Sequence, residues 1–369
     1  MNNKNRGLQG FFSILISVSL LTVTVVFSSD LVNSMSSFVL GAFGIMSGVA
    51  TFKNENLIVN SQSENENNVV GFGNSFVADS NSSDTKTPED IEKLMQEAVS
   101  AYASFEKTGE IEETTLLETS STISYGNVIV NNKTETKKVN IKKELSKEPS
   151  FGEITKDEPY ILVYHTHTTE GYELLDKGWY SDDYISRTKE LDRTVVRVGE
   201  EIVSRLEKAG FKVIHDKTIY DANYNGAYSR SLKTVEKILK ENPSIVITLD
   251  VHRDAIEYSN GTKCKPTATI NGKKAAQVMI ITGAEEGDIK NYPDWSKNLT
   301  FAVALQNKVE ENYKGLMRPI FFCQRKYNMH VTPCSLLLEM GTDGNTLEEA
   351  VYSGRLIGDS LAQLLEENM

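Results

Sequence analysis

ILVYHTHTTE (161–170), IVITLDVHRD (245–254) and SLLLEMG (335–341) are the stretches whose reading decides the fold. Each is a run of Ile, Leu and Val, the pattern of a strand buried on both faces inside a parallel sheet. Each carries His or Glu at or just past its C-terminal end. Ligands of open α/β sheets bind outside the carboxyl ends of the strands. His167, Glu170, His252 and Glu339 are therefore expected to meet at one site.

Between these strands the apolar period changes. Val195, Val198, Ile202 and Leu206 recur at helical spacing. Gly210 ends that helix, and FKVIH (211–215) is the next strand. A helix is expected around 232–240, a strand at VMIITG (278–283), and a further helix marked by Ala302, Leu305, Val309 and Tyr313. Thr346-Leu347-Glu348-Glu349 reads as a capping box opening the last helix, whose stripe includes Leu347, Val351 and Leu361. The alternation predicts an α/β fold with a mainly parallel sheet flanked by helices, over residues 156–369. No internal repeat is seen.

The N-terminal part reads differently. Lys4 and Arg6 precede an apolar run from Gly10 to Phe27. About 18 residues at about 1.5 Å each give about 27 Å, enough for a bilayer core with its flanks. The run is longer than a signal-peptide core and no A-x-A site follows it. Residues 1–30 are thus expected to be a cytoplasmic tail and a single transmembrane helix, with the remainder outside the membrane. Phe38 to Val49 is apolar but too short to span. Residues 31–86 hold NSQSENENN and DSNSSDTK, a polar composition expected of a largely disordered tether. Thr87-Pro88-Glu89-Asp90 has the form of a helix start, with a helix to about Phe105. TISYGNVIVNN alternates as a hairpin, so 87–155 is expected to be a small helix and hairpin region before the catalytic domain.

The formal charge of −12 over 369 residues argues against nucleic acid as a partner, because a phosphate-binding face is basic. The three cysteines form no CxxC pair, which argues against a thiolate zinc site and a disulfide framework; a Cys323–Cys334 bridge stays open.

The strand-end residues are the ligand types of a catalytic zinc site, which takes three N or O protein ligands and leaves a position for water. His167 and Glu170 are three apart in a turn and can reach one cation; His252 is the third ligand. His165 is the alternative to His167, since residues two apart on a strand point the same way. Glu190 or Asp192, just before the next helix, are the alternatives to Glu170. Glu339 ends a fully apolar strand, where burial raises a carboxyl towards the range of a general acid/base. Arg253 and Asp254 are read as groups that orient a ligand or bind substrate, with a structural ion pair as the rival reading.

These motifs carry a resemblance. HTHTTEGY (165–172), VVRVGEE (195–201), VHRDA (251–255) and LLLEMGTDGNTLEEA (336–350), in this order, resemble the stage II sporulation protein P family, as do the anchor, the tether and NVIVNNKT (127–134). The resemblance implies a cell-wall hydrolase of endospore-forming bacteria, anchored in the mother-cell membrane. Its fold would be that of zinc-dependent N-acetylmuramoyl-L-alanine amidases. The implied substrate is peptidoglycan, cut at the amide between N-acetylmuramic acid and L-alanine and also at peptide cross-links. The implied cofactor is Zn2+, and the implied partners are the stage II sporulation proteins D and M. His167, His252 and Glu339 fall in matching motif positions. In the related amidases a carboxylate ligand precedes the first long helix, which here points to Glu190 or Asp192. The rival functions are a zinc endopeptidase or carboxypeptidase on stem peptides, and a catalytically silent wall-binding module.

Overall fold

A computed structural model describes residues 50–52, 84–184 and 186–369. The expected anchor, the short apolar stretch and most of the expected tether lie outside these residues. Among the described residues no helix is long and apolar enough to cross a membrane.

The elements run β1 (Ala50–Phe52), α1 (Glu89–Tyr102), β2 (Gly109–Thr114), β3 (Thr122–Tyr125), β4 (Val128–Asn132), α2 (Ile141–Leu145), β5 (Pro159–Tyr164) and β6 (Trp179–Tyr180). After a 3-10 turn at Leu191–Arg193 come α3 (Val195–Lys208), β7 (Lys212–His215), α4 (Ala227–Glu241), β8 (Ile247–Asp254), β9 (Ile256–Tyr258), β10 (Lys263–Ile270) and β11 (Lys273–Ala276). The chain continues through β12 (Val278–Gly283), α5 (Trp295–Asn312), β13 (Ile320–Cys323), β14 (Cys334–Thr342) and α6 (Leu347–Glu366).

The main sheet has eight strands in the order β3-β4-β13-β12-β14-β8-β5-β7. Only β3–β4 and β12–β14 pair antiparallel; the other adjacent pairs are parallel. The three motif strands are neighbours. Tyr164 of β5 lies opposite Asp250 of β8, and His252 of β8 opposite Glu339 of β14. Their carboxyl ends thus come out side by side. The Ile/Leu/Val runs have a direct physical cause, since the sheet is covered on both faces. Ile161 and Val163 of β5 join the core with Val198 and Ile202 of α3. Leu162 and Tyr164 point the other way, onto Val235 of α4.

α6 packs against α3 at very short range. A Cβ on Gly354 would lie 2.8 Å from the Val198 carbonyl oxygen, so only glycine allows that approach. The capping box of α6 is formed: Thr346 Oγ1 accepts from Glu349 N at 3.2 Å, and Thr346 N donates to Glu349 Oε2 at 3.0 Å. The start of α1 differs from expectation. Pro88, which has no polar side chain, is the cap residue and Thr87 lies outside the helix, its hydroxyl donating to the Glu348 carboxylate.

The expected hairpin, β3–β4, is an edge of the main sheet, with Val130 opposite Ile320 of β13. A second sheet was not foreseen. It includes, in order, β9, β10, β2 and β6, with β11 paired to β10. Its pairing of Ile111 with Lys263 ties residues N-terminal to β5 to the segment after β8. Cys264, Cys323 and Cys334 are all buried and unpaired, so the Cys323–Cys334 bridge is absent; β12 lies between the strands that carry them.

Candidate metal centre

β5 ends at Tyr164, and the chain turns through His165-Thr166-His167-Thr168-Thr169. Hydroxyls hold this turn. Thr168 Oγ1 donates to the His165 carbonyl at 2.8 Å, and Thr169 Oγ1 donates to Asp221 Oδ2 at 2.6 Å. The Glu170 amide closes back on the His167 carbonyl at 3.1 Å. This bond sets the two side chains on one side, with His167 Nδ1 3.3 Å from Glu170 Oε1. His252, from the end of β8, brings its Nδ1 to 3.3 Å from Glu170 Oε2. One ligand atom from each of His167, Glu170 and His252 lies within 4.8 Å of the other two, and all three residues are buried.

The carboxylate is held from outside as well. Arg187 Nη2 donates to Glu170 Oε1 at 3.0 Å, and the Arg253 amide donates to Oε2 at 3.2 Å. Burial alone would raise the Glu170 carboxyl, but bonds and charge from His167 and His252 hold it well below the usual carboxylate range. Burial would likewise depress His252; the carboxylates of Asp250 and Glu170 reverse that and raise it well above the ordinary imidazole value. Aromatic rings wall the centre. His167 stacks on Tyr224 at 4.7 Å between centroids and meets the edge of Tyr228 at 5.5 Å.

Glu339 stands beside His252 across the β8–β14 register. Its Oε2 is buried without a hydrogen-bond partner. Burial pushes its carboxyl up to about 8, with Asp254 and Glu170 adding to the effect and His252 and Arg318 opposing it.

The remaining candidates are placed elsewhere. Because β5 stops before His165, the two-residue strand period does not reach it. His165 turns away, with Nδ1 2.9 Å from the Val251 carbonyl and Nε2 2.9 Å from His215 Nε2. The Arg253 guanidinium is spent on the Gly171 carbonyl (2.7 Å) and Ser186 Oγ (3.3 Å). Asp254 Oδ2 accepts from Arg318 Nη2 at 3.0 Å. Glu190 is 59% exposed and pairs with Arg193, and Asp192 is exposed; neither joins the buried trio. Several residues around the centre escaped sequence reading, Asp221, Tyr224 and Tyr228 among them. Arg187 has no pattern to mark it. Asp250 does: it is a lone carboxylate inside an apolar strand, at the same parity as His252.

The donor set suits zinc. Two imidazoles and one carboxylate, with no thiolate, are the ligands of open, catalytic zinc sites. The carboxylate is ionised, and an atom spread of 4.8 Å is small enough for one ion to bridge.

Among curated proteins, the chain is 29% identical over 222 residues to the stage II sporulation protein P of Bacillus subtilis (strain 168), covering 57% of this chain and 52% of that protein. The aligned segment thus spans about half the length of that relative. Among solved structures, the chain is similar to the CwlD amidase of Clostridioides difficile in complex with the GerS lipoprotein. That match has 14% identity, a TM-score of 0.35, and covers 56% of this chain and 99% of that one. It is similar also to the N-acetylmuramoyl-L-alanine amidase AmiC2 of Nostoc punctiforme, with 12% identity, a TM-score of 0.32, and coverage of 57% and 96%. The family model for stage II sporulation protein P (SpoIIP) matches residues 58–362, and on that match the chain belongs to the stage II sporulation protein P family.

Proposed function

We propose that this chain is a zinc-dependent cell-wall hydrolase of sporulation that cleaves the amide between N-acetylmuramic acid and L-alanine. The observation that carries this reading is the convergence of His167, Glu170 and His252, with a raised carboxyl on Glu339, its Oε2 without a hydrogen-bond partner, in register beside His252. Family membership supports the sporulation and cell-wall context.

Zinc held by the three residues supplies a Lewis acid for the scissile carbonyl and an acidified water. The protein's own groups do the rest. Glu339 Oε2 accepts the proton from the attacking water as its oxygen bonds to the amide carbon. The same carboxyl then delivers that proton to the departing nitrogen as the C–N bond breaks. The products are a lactyl carboxylate on the sugar and a free amino terminus on L-alanine. A carboxyl raised to about 8 can both take and return a proton near neutrality. Arg187 and the Arg253 amide keep the Glu170 carboxylate turned towards the imidazoles. Tyr224 and Tyr228 restrict the His167 ring and exclude water from one side of it.

The apolar run after Lys4 and Arg6 supports a single-pass anchor, with the catalytic region outside the membrane, where peptidoglycan lies. Partnership with the stage II sporulation proteins D and M follows from the family resemblance and belongs to the same proposal. The test is digestion of purified cell walls by the full chain. The expected products are new L-alanine amino termini and glycan strands free of peptide, with His252→Ala inactive. Digestion by His252→Ala at the parent's rate contradicts the reading.

A further inference from the structure

Asp250 is fully buried in the middle of β8, two residues before His252. A carboxyl group there is costly unless its oxygens have work to do. Part of that work is holding the turn after β5. Asp250 Oδ1 accepts from the Thr166 amide at 2.8 Å, and Oδ2 from Thr166 Oγ1 at 2.7 Å. Tyr164 of β5 also hydrogen-bonds the carboxylate, whose Oδ1 edge faces His252. Nδ1 of that ring points at Glu170, while Nε2 lies 2.8 Å from Asp250 Oδ1. Nε2 makes no hydrogen bond, so the contact with Oδ1 is one of charge and proximity. It is short enough for the carboxylate to attract a proton on that nitrogen and repel a lone pair.

We propose that Asp250 is a positioning residue that keeps the proton of His252 on Nε2 and so presents the Nδ1 lone pair to the metal. The inference rests on the reading that His252 holds zinc. Neutral imidazole carries one N–H and one lone pair, and the partner of one nitrogen decides what the other offers. A carboxylate behind a ligating imidazole also makes it a stronger donor. Loss of such partners weakens metal binding by about 10- to 100-fold.

Two variants separate charge from acceptor. Asp250→Asn keeps an oxygen that accepts from the Thr166 amide and faces His252 Nε2, with its amide group facing the Thr166 hydroxyl; only the charge is lost. Asp250→Ala removes the acceptor as well. Thr166→Val is the control, since it cuts the Oδ2 bond that supports the turn and leaves the His252 contact in place. The probe is Zn2+ alone, competed against a chromophoric chelator on the full chain. The second readout is two-bond proton–nitrogen correlation of histidine-labelled protein, which the chain's five histidines keep simple. Expected are a fall in zinc affinity of about tenfold in Asp250→Asn and about 100-fold in Asp250→Ala. Thr166→Val should stay within about twofold of the parent, against that same 10- to 100-fold scale. In the metal-free protein, at a pH above the titration of His252, its signals should show Nε2–H in the parent and a mixed tautomer in Asp250→Ala. Parent-like affinity and tautomer in folded Asp250→Ala overturns the proposal, and so does equal loss of zinc in Thr166→Val. His252→Ala guards the underlying reading. If it binds zinc like the parent, His252 is no ligand; if it loses zinc while both Asp250 variants keep it, only the role of Asp250 fails.

Discussion

Replacing Glu173 by glutamine tests how burial and charge are balanced beside the candidate centre. Glu173 follows the HTHTTEGY turn and is 3% exposed. Its backbone links two elements: the amide donates to the Asn345 carbonyl at 3.1 Å, and its own carbonyl accepts from the Leu347 amide at 2.9 Å. Its side chain accepts from Tyr102 Oη at 2.8 Å, which docks α1. Burial pushes the carboxyl from 4.5 up to about 7, with the Tyr102 bond and Lys263 opposing the rise and Asp343 adding to it. The unfolded chain loses the proton near 4.5 and the folded chain only near 7. Below 4.5 both states are protonated and the group costs nothing; as pH climbs to 7, stability falls, because the folded state binds more protons. At about 1.4 kcal/mol per pH unit, the full cost is about 3 kcal/mol. Glutamine keeps an oxygen for Tyr102 and never ionises. Glu173→Gln should therefore match the parent near pH 4.5 and exceed it by up to about 3 kcal/mol at pH 8. Urea unfolding with a chelator present, at several pH values, measures the difference. A difference independent of pH, or a variant weaker than the parent at pH 8, refutes the reasoning, since it would mean that the carboxylate is compensated by its neighbours.

Three further outcomes are expected. Glu339→Gln should lower turnover by about 10²- to 10⁴-fold with zinc content unchanged; a loss below about tenfold would deny Glu339 the proton-transfer role. His165 is buried and His215 partly buried, and burial pushes their imidazoles down to about 4 and about 2, so the folded state refuses protons that the unfolded chain accepts below 6.5. Stability should thus be lost as pH falls from 6.5 towards 4, and His215→Gln should reduce that loss in acid unfolding curves; an unchanged slope counts against it. A Cβ on Gly199 would lie 2.7 Å from His165 Cε1 and 3.0 Å from His215 Nε2. Gly199→Ala should therefore cost about 1–3 kcal/mol in urea unfolding, and full stability in that variant would show that the pair can move aside.

The parts of the fold that were legible in sequence are those where one physical term dominates. ILVY, ITL and SLLL are buried on both faces, as their unbroken apolar runs suggest for interior strands, and their shared carboxyl edge followed. The α6 capping box was legible because its two bonds are local. The second sheet was not. Its strands are short, KCKPTATI carries two lysines and a proline, and Lys265 is buried only because Glu113, Asp176 and Glu349 surround it. Such compensation comes from distant residues and leaves no local period. The same logic divides the site. Glu170 and His167 form a local i, i+3 pair, whereas the competing Glu190 is locally as plausible and only the tertiary structure shows it exposed against Arg193, away from the buried trio. His165 misled because the strand ends one residue earlier than its alternation suggests.

The central claim is that Glu170, with His167 and His252, holds one zinc ion. The most direct measurement is the zinc content of the full chain after dialysis, for the parent, Glu170→Ala and Glu190→Ala. The account predicts about one zinc per chain in the parent and in Glu190→Ala, and a near-total loss in Glu170→Ala, because such a site takes three protein ligands. Retention of zinc in Glu170→Ala, with loss in Glu190→Ala, would contradict it.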